Sequence, residues 1–582
     1  MAEPDPKFKT DSAGQPRVGS PMNPTGDHSK QDNRSNVEQQ GQTQPAVGLK
    51  LDQVTIKTPQ KCLLDCVSET ISAGKITLIV GPSGAGKSVL LRTLAGLLPK
   101  SGEMLTWNGN IHLHRANENP TSESRKQNQL GQVGVVFQQF ALFDEWSSRS
   151  NIQFALDHPP KMQTGIKQSL ADASVAKTAT DWLDELGVPS NVAVGNLSGG
   201  QKQRLAIART LASSPSVILY DEPTSGLDSA SGTKVAELIR STHRRHGRTS
   251  VIVTHDYPTL IPIADEILLF NADTKKLERI SRESWSEIPN QLSRLLPPKQ
   301  PNETKTTKQR FKMLQEVLDT TGGVVSAAAT LPLHLVPWFP KLKWGFQFVL
   351  HYLKLISGPS AWIYLAVAGM IVGFTSTFFT FRFLPFRLYT QPLLIDELLA
   401  SVGFALYRIL VPILATILIA ARCGAAVTAD VGVKRYGGQT DALQTMGIRS
   451  TAYLLTPILF AFMIATPFLE WLSFEAAKLT SLLTFLHSYP EIGAHFWDQY
   501  FLLRIDNKNP AGVFSVLGLH EGWNWVLGKN LLCGIGTAAI AYYRGMQRKL
   551  AASDVSSSVT STVLWATLYV LAVHFTVALF EF

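Results

Sequence analysis

Gly81-Pro82-Ser83-Gly84-Ala85-Gly86-Lys87-Ser88 decides how the first half of this chain is read. It is a complete GxxxxGK[ST] loop, set between an apolar, β-branched run, Ile76-Thr77-Leu78-Ile79-Val80, and a helical pattern from Val89 to Ala95. The run has the length and character of a buried strand. Glycines at these spacings let the backbone curl until its N–H groups converge on phosphate oxygens, and the helix N-terminus adds its dipole. Lys87 is expected to reach the β- and γ-phosphates of a nucleotide, and the Ser88 hydroxyl to sit on Mg²⁺.

Working outward, two further strand patterns end in chemistry. Val217-Ile218-Leu219-Tyr220 runs into Asp221-Glu222, and Ser250-Val251-Ile252-Val253-Thr254 runs into His255. At the strand ends of a phosphate-binding α/β sheet, Asp221 is placed to hold Mg²⁺. Glu222 is placed to polarise an attacking water, and His255 to reach the γ-phosphate region. Taken singly, an acidic pair is as often a solvated turn, and a lone histidine is usually structural.

The remainder of the 582 residues divides sharply. Charged residues are 17% of the chain and lie mostly before residue 340, whereas long apolar runs follow it. That contrast predicts a soluble α/β domain followed by an all-α membrane domain. Residues 1–46, rich in Pro, Gly, Ser, Gln and Asn, read as disordered and lack the apolar stretch of a cleavable signal, which leaves the soluble domain in the cytoplasm. The net charge of +9 does not point to nucleic acid, because the basic residues form no aromatic-interleaved patch and many flank apolar segments. Cys62, Cys66, Cys423 and Cys533 show no CxxC spacing, so reduced, mostly buried thiols are expected rather than a metal site or disulfide framework.

Five segments read as membrane spans: 362–381, 399–421, 452–472, 523–543 (interrupted by Lys529 and Asn530) and 560–579. An odd number places the C-terminus outside. Arg422, Lys434, Arg435 and Arg449 after the second span, and Arg544, Arg548 and Lys549 after the fourth, fit cytoplasmic loops, while 473–522 reads as a long outer loop. Gly369 and Gly373 form a GxxxG, and Pro457 and Pro467 call for local adjustment of the third span. Glu470 and Lys529 fall at similar depth and suggest an ion pair. Before the first span, Leu342, Phe346, Val349, Leu353 and Ile356 share a helical face opposite Lys343, Gln347, His351 and Lys354, with Trp344, Phe348 and Tyr352 between them. This pattern predicts an interfacial helix on the cytoplasmic surface. Residues 281–340 read as linker with some helix, and 113–130 as a polar surface insertion.

Leu197-Ser198-Gly199-Gly200-Gln201 carries a family resemblance. Its order among the phosphate loop, Val136-Phe137-Gln138, Asp221-Glu222, Ser225-Gly226-Leu227-Asp228 and His255 resembles an ABC-transporter ATPase over residues 47–280. The resemblance implies ATP and Mg²⁺ as ligands and a homodimer in which Ser198, Gly199, Gly200 and Gln201 cap ATP bound at residues 81–88 of the opposite copy. It also implies that Gln138 touches Mg²⁺ or the attacking water and that Asp228 lies at the subunit seam. The first hairpin, Val54 to Lys61, lacks the aromatic residue on which many such ATPases stack adenine, so no adenine-binding residue is assigned.

A second resemblance covers about residues 340–582. Arg422 to Asp430 with Gln439-Thr440-Asp441-Ala442-Leu443-Gln444-Thr445-Met446-Gly447 resembles the central segment of MlaE-like permeases, which move lipid with MCE-domain proteins, and Gln138 to Phe143 resembles the glutamine loop of Mla-type ATPases. It implies a coupling helix, with Gln439, Asp441, Ala442, Leu443, Met446 and Gly447, that docks beside Gln138. Gly438 stands where such permeases commonly carry an acid. The combined expectation is an ATPase fused to a permease in a bacterial cytoplasmic membrane, moving phospholipid or a related amphipath with an MCE-domain partner. The alternatives are a half-size exporter of a drug or sterol-like compound, which typically has six spans, and a soluble ABC protein acting on DNA or ribosomes.

Overall fold

Two sheets organise the first domain. The computed structural model describes residues 46–59, 61–102, 105–115, 132–159, 177–294, 336, 339–383, 387–503, 522–549 and 551–582. The N-terminal 45 residues, most of the expected 113–130 insertion and the expected helix within the linker lie outside the described residues.

Strands β1 (Val47–Lys57), β2 (Cys62–Ile71) and β4 (Thr106–Arg115) form an antiparallel sheet in the order β2-β1-β4. Between them in sequence come β3 (Ile76–Val80) and helix α1 (Lys87–Leu94). The second sheet also takes in β5 (Val133–Val136), β6 (Val217–Asp221), β7 (Thr249–Thr254), β8 (Glu266–Asn271) and β9 (Lys276–Ile280). Its order is β5-β6-β7-β3-β8-β9, parallel except for the β8–β9 pair. Every residue of β3, β5, β6 and β7 is buried, as a parallel sheet covered on both faces requires. Helices α2 (Ser148–Asp157), α3 (Ala179–Leu186), α4 (Gly199–Ala212), α5 (Ser229–His246), α6 (Tyr257–Leu260) and α7 (Ile288–Arg294) complete this part. The start of the expected linker is therefore structured, with Ile288 fully buried in the core.

The rest is helical. In order come α8 (Leu342–Ile356), α9 (Pro359–Arg382), α10 (Arg387–Ala405), α11 (Val411–Tyr436), α12 (Gln439–Thr445), α13 (Ser450–Tyr453), α14 (Leu455–Ser488), α15 (Gly493–Phe501), α16 (Trp523–Met546) and α17 (Ala552–Glu581). Among the described residues four helical stretches are long and apolar enough to cross a membrane: Pro359–Arg382, Leu394–Tyr436, Ser450–Ser488 and Ala552–Glu581. The expected 523–543 span is the helix α16, long enough at 24 residues, but its Lys529, Asn530 and Arg544 keep it out of that apolar set.

Three expectations change. The charged segment after residue 421 is no loop, because α11 carries Arg422, Lys434 and Arg435 on an unbroken helix to Tyr436. A π-turn, Leu406–Leu410, joins it to α10. The third span continues to Ser488, well into the expected outer loop. Packing explains the extension. A Cβ on Gly369 or Gly373 would stand 2.1 Å from the backbone oxygen of Ser473 or Ala477, and two turns on Thr377 Oγ1 donates to Ser481 Oγ at 2.8 Å. The small-residue stripe of α9 thus needs the α14 backbone beyond residue 472 to lie against. Pro457 sits in the first turn of α14, where its missing N–H costs nothing, while Pro467 lies inside the helix.

The third change concerns charge. Lys529 pairs with Glu581 at 2.5 Å, not with Glu470, and Arg408 Nε donates to the other Glu581 oxygen at 2.6 Å. Glu470 instead accepts from Asn530 Nδ2 at 3.3 Å. Depth along two helices agreed, but the faces did not: Glu581 lies between Lys529 and Arg408 and gives both a partner, where an unpaired buried charge would be costly. Of the cysteines, Cys423 and Cys533 are buried and Cys66 is exposed, all as free thiols.

Candidate functional site

Strand register brings the site together. Val80 pairs with Thr254 and Asp221 with Val253, so the loop after β3, the acidic pair after β6 and His255 after β7 leave the same edge of the parallel sheet. The phosphate loop turns into α1 through Gly86 at φ +108°, a left-handed conformation that a side chain would strain. Lys87 folds back over this loop, its Nζ donating to the carbonyls of Gly81 at 2.8 Å and Pro82 at 2.9 Å. Burial holds its ammonium below the ordinary lysine range, against the opposing pull of Glu222 and Asp221.

Ser88 Oγ donates to Asp221 Oδ1 at 2.9 Å. Burial raises the Asp221 carboxyl, and the Ser88 hydroxyl works the other way. Glu222 sits next door at φ +50°, a strained setting for a side-chain-bearing residue, fixed by its N–H donating to Val253 O at 2.8 Å. Gln138 Nε2 donates to one Glu222 oxygen at 3.1 Å and to Ser225 Oγ at 3.4 Å, while His255 Nδ1 lies 3.0 Å from the other Glu222 oxygen. Gln138, Glu222 and His255 therefore form one cluster, with Ser88 and Asp221 forming a second along the same sheet edge.

The donor types suit Mg²⁺. It commonly takes one or two protein oxygens and completes its shell with water and substrate phosphates. Ser88 and Asp221 present a hydroxyl and a carboxylate already in contact, and among the described residues no group of three or more His, Cys, Asp or Glu forms a closed protein-only metal site.

Ser198 and Gln201 lie away at the start of α4, where they form a capping box: Ser198 Oγ accepts from Gln201 N–H at 3.3 Å, and Gln201 Oε1 accepts from Ser198 N–H at 2.9 Å. Nothing stands within 4 Å of where a Cβ would project from Gly199 or Gly200, so this turn presents an open surface. Asp228 is also exposed and caps α5 by accepting from Ser231 N–H at 3.0 Å; the Ser231 hydroxyl, and after it this N–H, holds its carboxyl below the usual range.

The site is joined to the membrane helices through the segment that begins at Gln138. A cavity of about 360 Å³ is lined by Gln138, Gln139, Lys202 and Asp144 from one side and by Gly437 and Gln439 from the other. Gly438, at φ +75°, turns the chain into α12, and a Cβ there would stand 3.5 Å from Ala141 and 3.8 Å from Phe137. An acidic residue there would be strained, which accounts for the glycine. Gln439, Asp441, Ala442, Leu443 and Met446 are buried, and Gly447 ends the turn at φ +74°. Arg209, itself buried, donates to Ala141 O at 2.5 Å and braces the segment from behind.

Sequence reasoning missed a second junction. Trp344 and Phe348 of α8 pack on Trp146 with ring centroids 4.9 and 5.2 Å away, and Phe154 and Tyr453 close the cluster. Trp344 Nε1 donates to Asp157 Oδ2 at 2.8 Å, and Lys434 Nζ reaches Glu145 at 3.0 Å. The aromatic stripe that read as intermediate on α8 is thus its buried face, while Leu342 and Phe346 are exposed. The one available signal was aromatic density around residues 137–158 and 344–352.

Comparison with known proteins fits this geometry. Residues 64–225 match the family model for ABC transporters, and residues 355–580 match the model for the permease MlaE. The chain therefore carries an ABC-transporter ATPase domain and a MlaE permease domain in one polypeptide. It is 35% identical over 212 residues to the sulfate/thiosulfate import ATP-binding protein CysA 2 of Chromobacterium violaceum, covering 36% of this chain and 52% of that protein. It is 31% identical over 226 residues to the methionine import ATP-binding protein MetN of Lactobacillus johnsonii, covering 38% and 62%. The chain spans between about half and three-fifths of the length of these curated relatives. Among solved structures, the dimeric bacterial ABC transporter cassette MJ0796 is 30% identical, with 40% of this chain and 97% of that one covered at a TM-score of 0.30.

Proposed function

We propose that two copies of this chain form an ATP-driven transporter that moves phospholipid or a related amphipathic molecule at the cytoplasmic membrane. One observation carries the reading: Gln138, which donates to Glu222, shares a cavity with Gln439, the first residue of the short helix that follows α11. Whatever displaces Gln138 at the nucleotide is felt at the foot of a membrane helix. The match to a MlaE permease favours lipid over the drug or sterol cargo of a half-size exporter.

In this mechanism residues 81–88 hold the phosphates of ATP, with the Lys87 ammonium swinging from its own loop carbonyls to the β- and γ-phosphates. Ser88 and Asp221 would hold Mg²⁺, which when bound supplies charge neutralisation at the phosphates. Glu222 takes the proton of the attacking water, and His255 and Gln138 orient it through their contacts with its two oxygens. Each chain has one phosphate loop and one open Ser198-Gly199-Gly200 turn, so two chains closing head to tail bury two ATP molecules, with Asp228 at the seam. Closure pulls on α12 and α8 and re-poses the membrane helices. In this arrangement α16 is a fifth span, the exposed apolar side of α8 faces the membrane surface, the C-terminus lies outside, and an MCE-domain protein is the natural lipid-handling partner.

The experiment is Glu222→Gln in the full chain reconstituted in lipid. ATP turnover is expected to fall by about 10²–10⁴-fold, with a nucleotide-bound dimer accumulating and phospholipid identified by mass spectrometry of the purified wild type. Unchanged turnover overturns the role of Glu222. Purification without bound lipid, together with no lipid-dependent turnover, overturns the cargo.

A further inference from the structure

A cleft of about 250 Å³ opens where the first domain meets the helix ends, between the last turn of α1, the foot of α11, α12 and the α16–α17 connection. Its charged lining is Arg92, Arg435, Arg548 and Lys549 against Asp441 alone. Asp554 offsets Lys549 from beside the cleft, so four cations against two carboxylates leave a surplus of two among the described residues. Asp441 is already engaged: Arg435 Nη1 donates to it at 2.5 Å, and Arg92 stands 3.9 Å from its other oxygen. Arg92 Nε is buried and has no hydrogen-bond partner among the described residues. Lys549 is anchored with its Nζ donating to Arg544 O at 2.9 Å and to Ser558 Oγ.

Such crowding is costly on its own. Partial desolvation at the mouth of the cleft, together with the nearby charges of Arg92 and Arg435, holds the Arg548 guanidinium below its ordinary range, with Asp441 offsetting only part. A protein that gathers guanidinium groups about a small cleft has built the complement of a multiply charged, tetrahedral oxyanion. Arg forks match phosphate oxygens in geometry as well as in charge. An apolar wall from Leu97 to Pro99 completes the cleft.

We propose that this cleft binds a phosphate ester, either the headgroup of an anionic lipid or a free phosphate compound, and that its occupancy sets the stance of α1 against α12. Arg92 lies one helical turn beyond Ser88 on α1, and Asp441 lies on α12, so a bound oxyanion ties the nucleotide helix to the membrane domain. The site is distinct from the nucleotide site and does not depend on which molecule is transported.

The test uses the full chain in detergent with saturating Mg-ADP, so that the nucleotide loop is already filled. Dihexanoyl phosphatidic acid and inorganic phosphate are titrated separately, with dihexanoyl phosphatidylcholine as control, and the thermal midpoint is followed. The midpoint is expected to rise with phosphatidic acid, and the apparent affinity to fall by about tenfold or more in Arg548→Glu and by less in Arg548→Lys, which keeps the charge and gives up the fork. Arg548 is exposed, so Arg548→Gln serves should the charge reversal not fold. A response to the lipid alone assigns the cleft to a headgroup, and a response to both probes assigns it to phosphate itself. No response to either probe, or wild-type affinity in both Arg548→Glu and Arg548→Gln, overturns the proposal.

Discussion

The imidazole Nε2 of His158 lies 2.7 Å from the hydroxyl of Tyr453, a buried hydrogen bond between the ATPase domain and α13, the short helix just before α14. His158 Nδ1 is 2.8 Å from Phe154 O and so donates, which leaves Nε2 to accept from the phenol. The phenol oxygen in turn accepts from Lys341 N–H at 3.1 Å. This chain works only with a neutral ring.

A pH dependence follows with a definite sign. Burial lowers His158 below its ordinary 6.5. The unfolded state then gains a proton near that value while the folded state refuses it until lower pH. The stability supplied by this contact is full above 6.5 and is lost as pH falls from there through the lower folded value. His114, His243 and His246 are shifted the same way by burial, so the informative quantity is a difference. Thermal midpoints of wild type and His158→Gln between about pH 8 and 5 should converge on the acid side. Parallel curves would assign the acid sensitivity elsewhere.

The aromatic seam should be the strongest single tie between the domains. Trp344→Ala removes a side chain 2% exposed, at a cost of about 3–5 kcal/mol, and should leave ATP turnover unresponsive to lipid. Trp344→Phe keeps most of the packing and gives up the bond to Asp157, a loss of about 1 kcal/mol. Denaturant titration of the two variants, with turnover measured in lipid, separates packing from hydrogen bonding.

On α9, Gly369→Ala forces a methyl group against the Ser473 carbonyl and should cost about 1–3 kcal/mol. Gly528→Ala on α16, where nothing stands within 4 Å, should change stability by less than about 0.5 kcal/mol. Unfolding in mixed micelles compares the two, and equal effects would refute the close α9–α14 approach.

Within the permease, Glu581→Gln abandons two facing cations and should cost about 3–5 kcal/mol. Glu470→Gln can still accept from Asn530 and should cost under about 1 kcal/mol. Exchanging Glu470 with Lys529 should rescue nothing, whereas exchanging Lys529 with Glu581 should recover part of the loss. Rescue by the first exchange would restore the pairing suggested by sequence alone.

How far the sequence could be read depends on how local each signal is. Ser88 and Asp221 lie 133 residues apart, yet each announces itself, one by a glycine-rich loop after a strand and the other by an acid at a strand end. A parallel sheet then leaves few places for them to go. Trp146 and Trp344 carry no such punctuation, and nothing in either neighbourhood names the other. Apolar length located four of the five expected spans as long apolar helices among the described residues, but their ends were misplaced where a helix continues past its apolar part. Arg422 to Arg435 read as a loop because charge was taken to mark an end, when the helix runs on into contact with the ATPase domain. Glu470 and Lys529 failed for a different reason: sequence gives height along a helix far better than the compass bearing of a side chain in a bundle whose arrangement is unknown.

The helical stretch from Leu394 to Tyr436, continuous through the π-turn at Leu406–Leu410, has a mechanical meaning. Its 43 residues amount to a rod of about 65 Å, rooted at its lower end by Lys434 and Arg435 beside the nucleotide domain. Swivelling such a beam by about 5° about its root sweeps the far tip through about 6 Å. A displacement at the base too small to reshape the cassette could in this way part or join helices on the opposite leaflet. Leverage, rather than large travel at the engine, would then set the stroke.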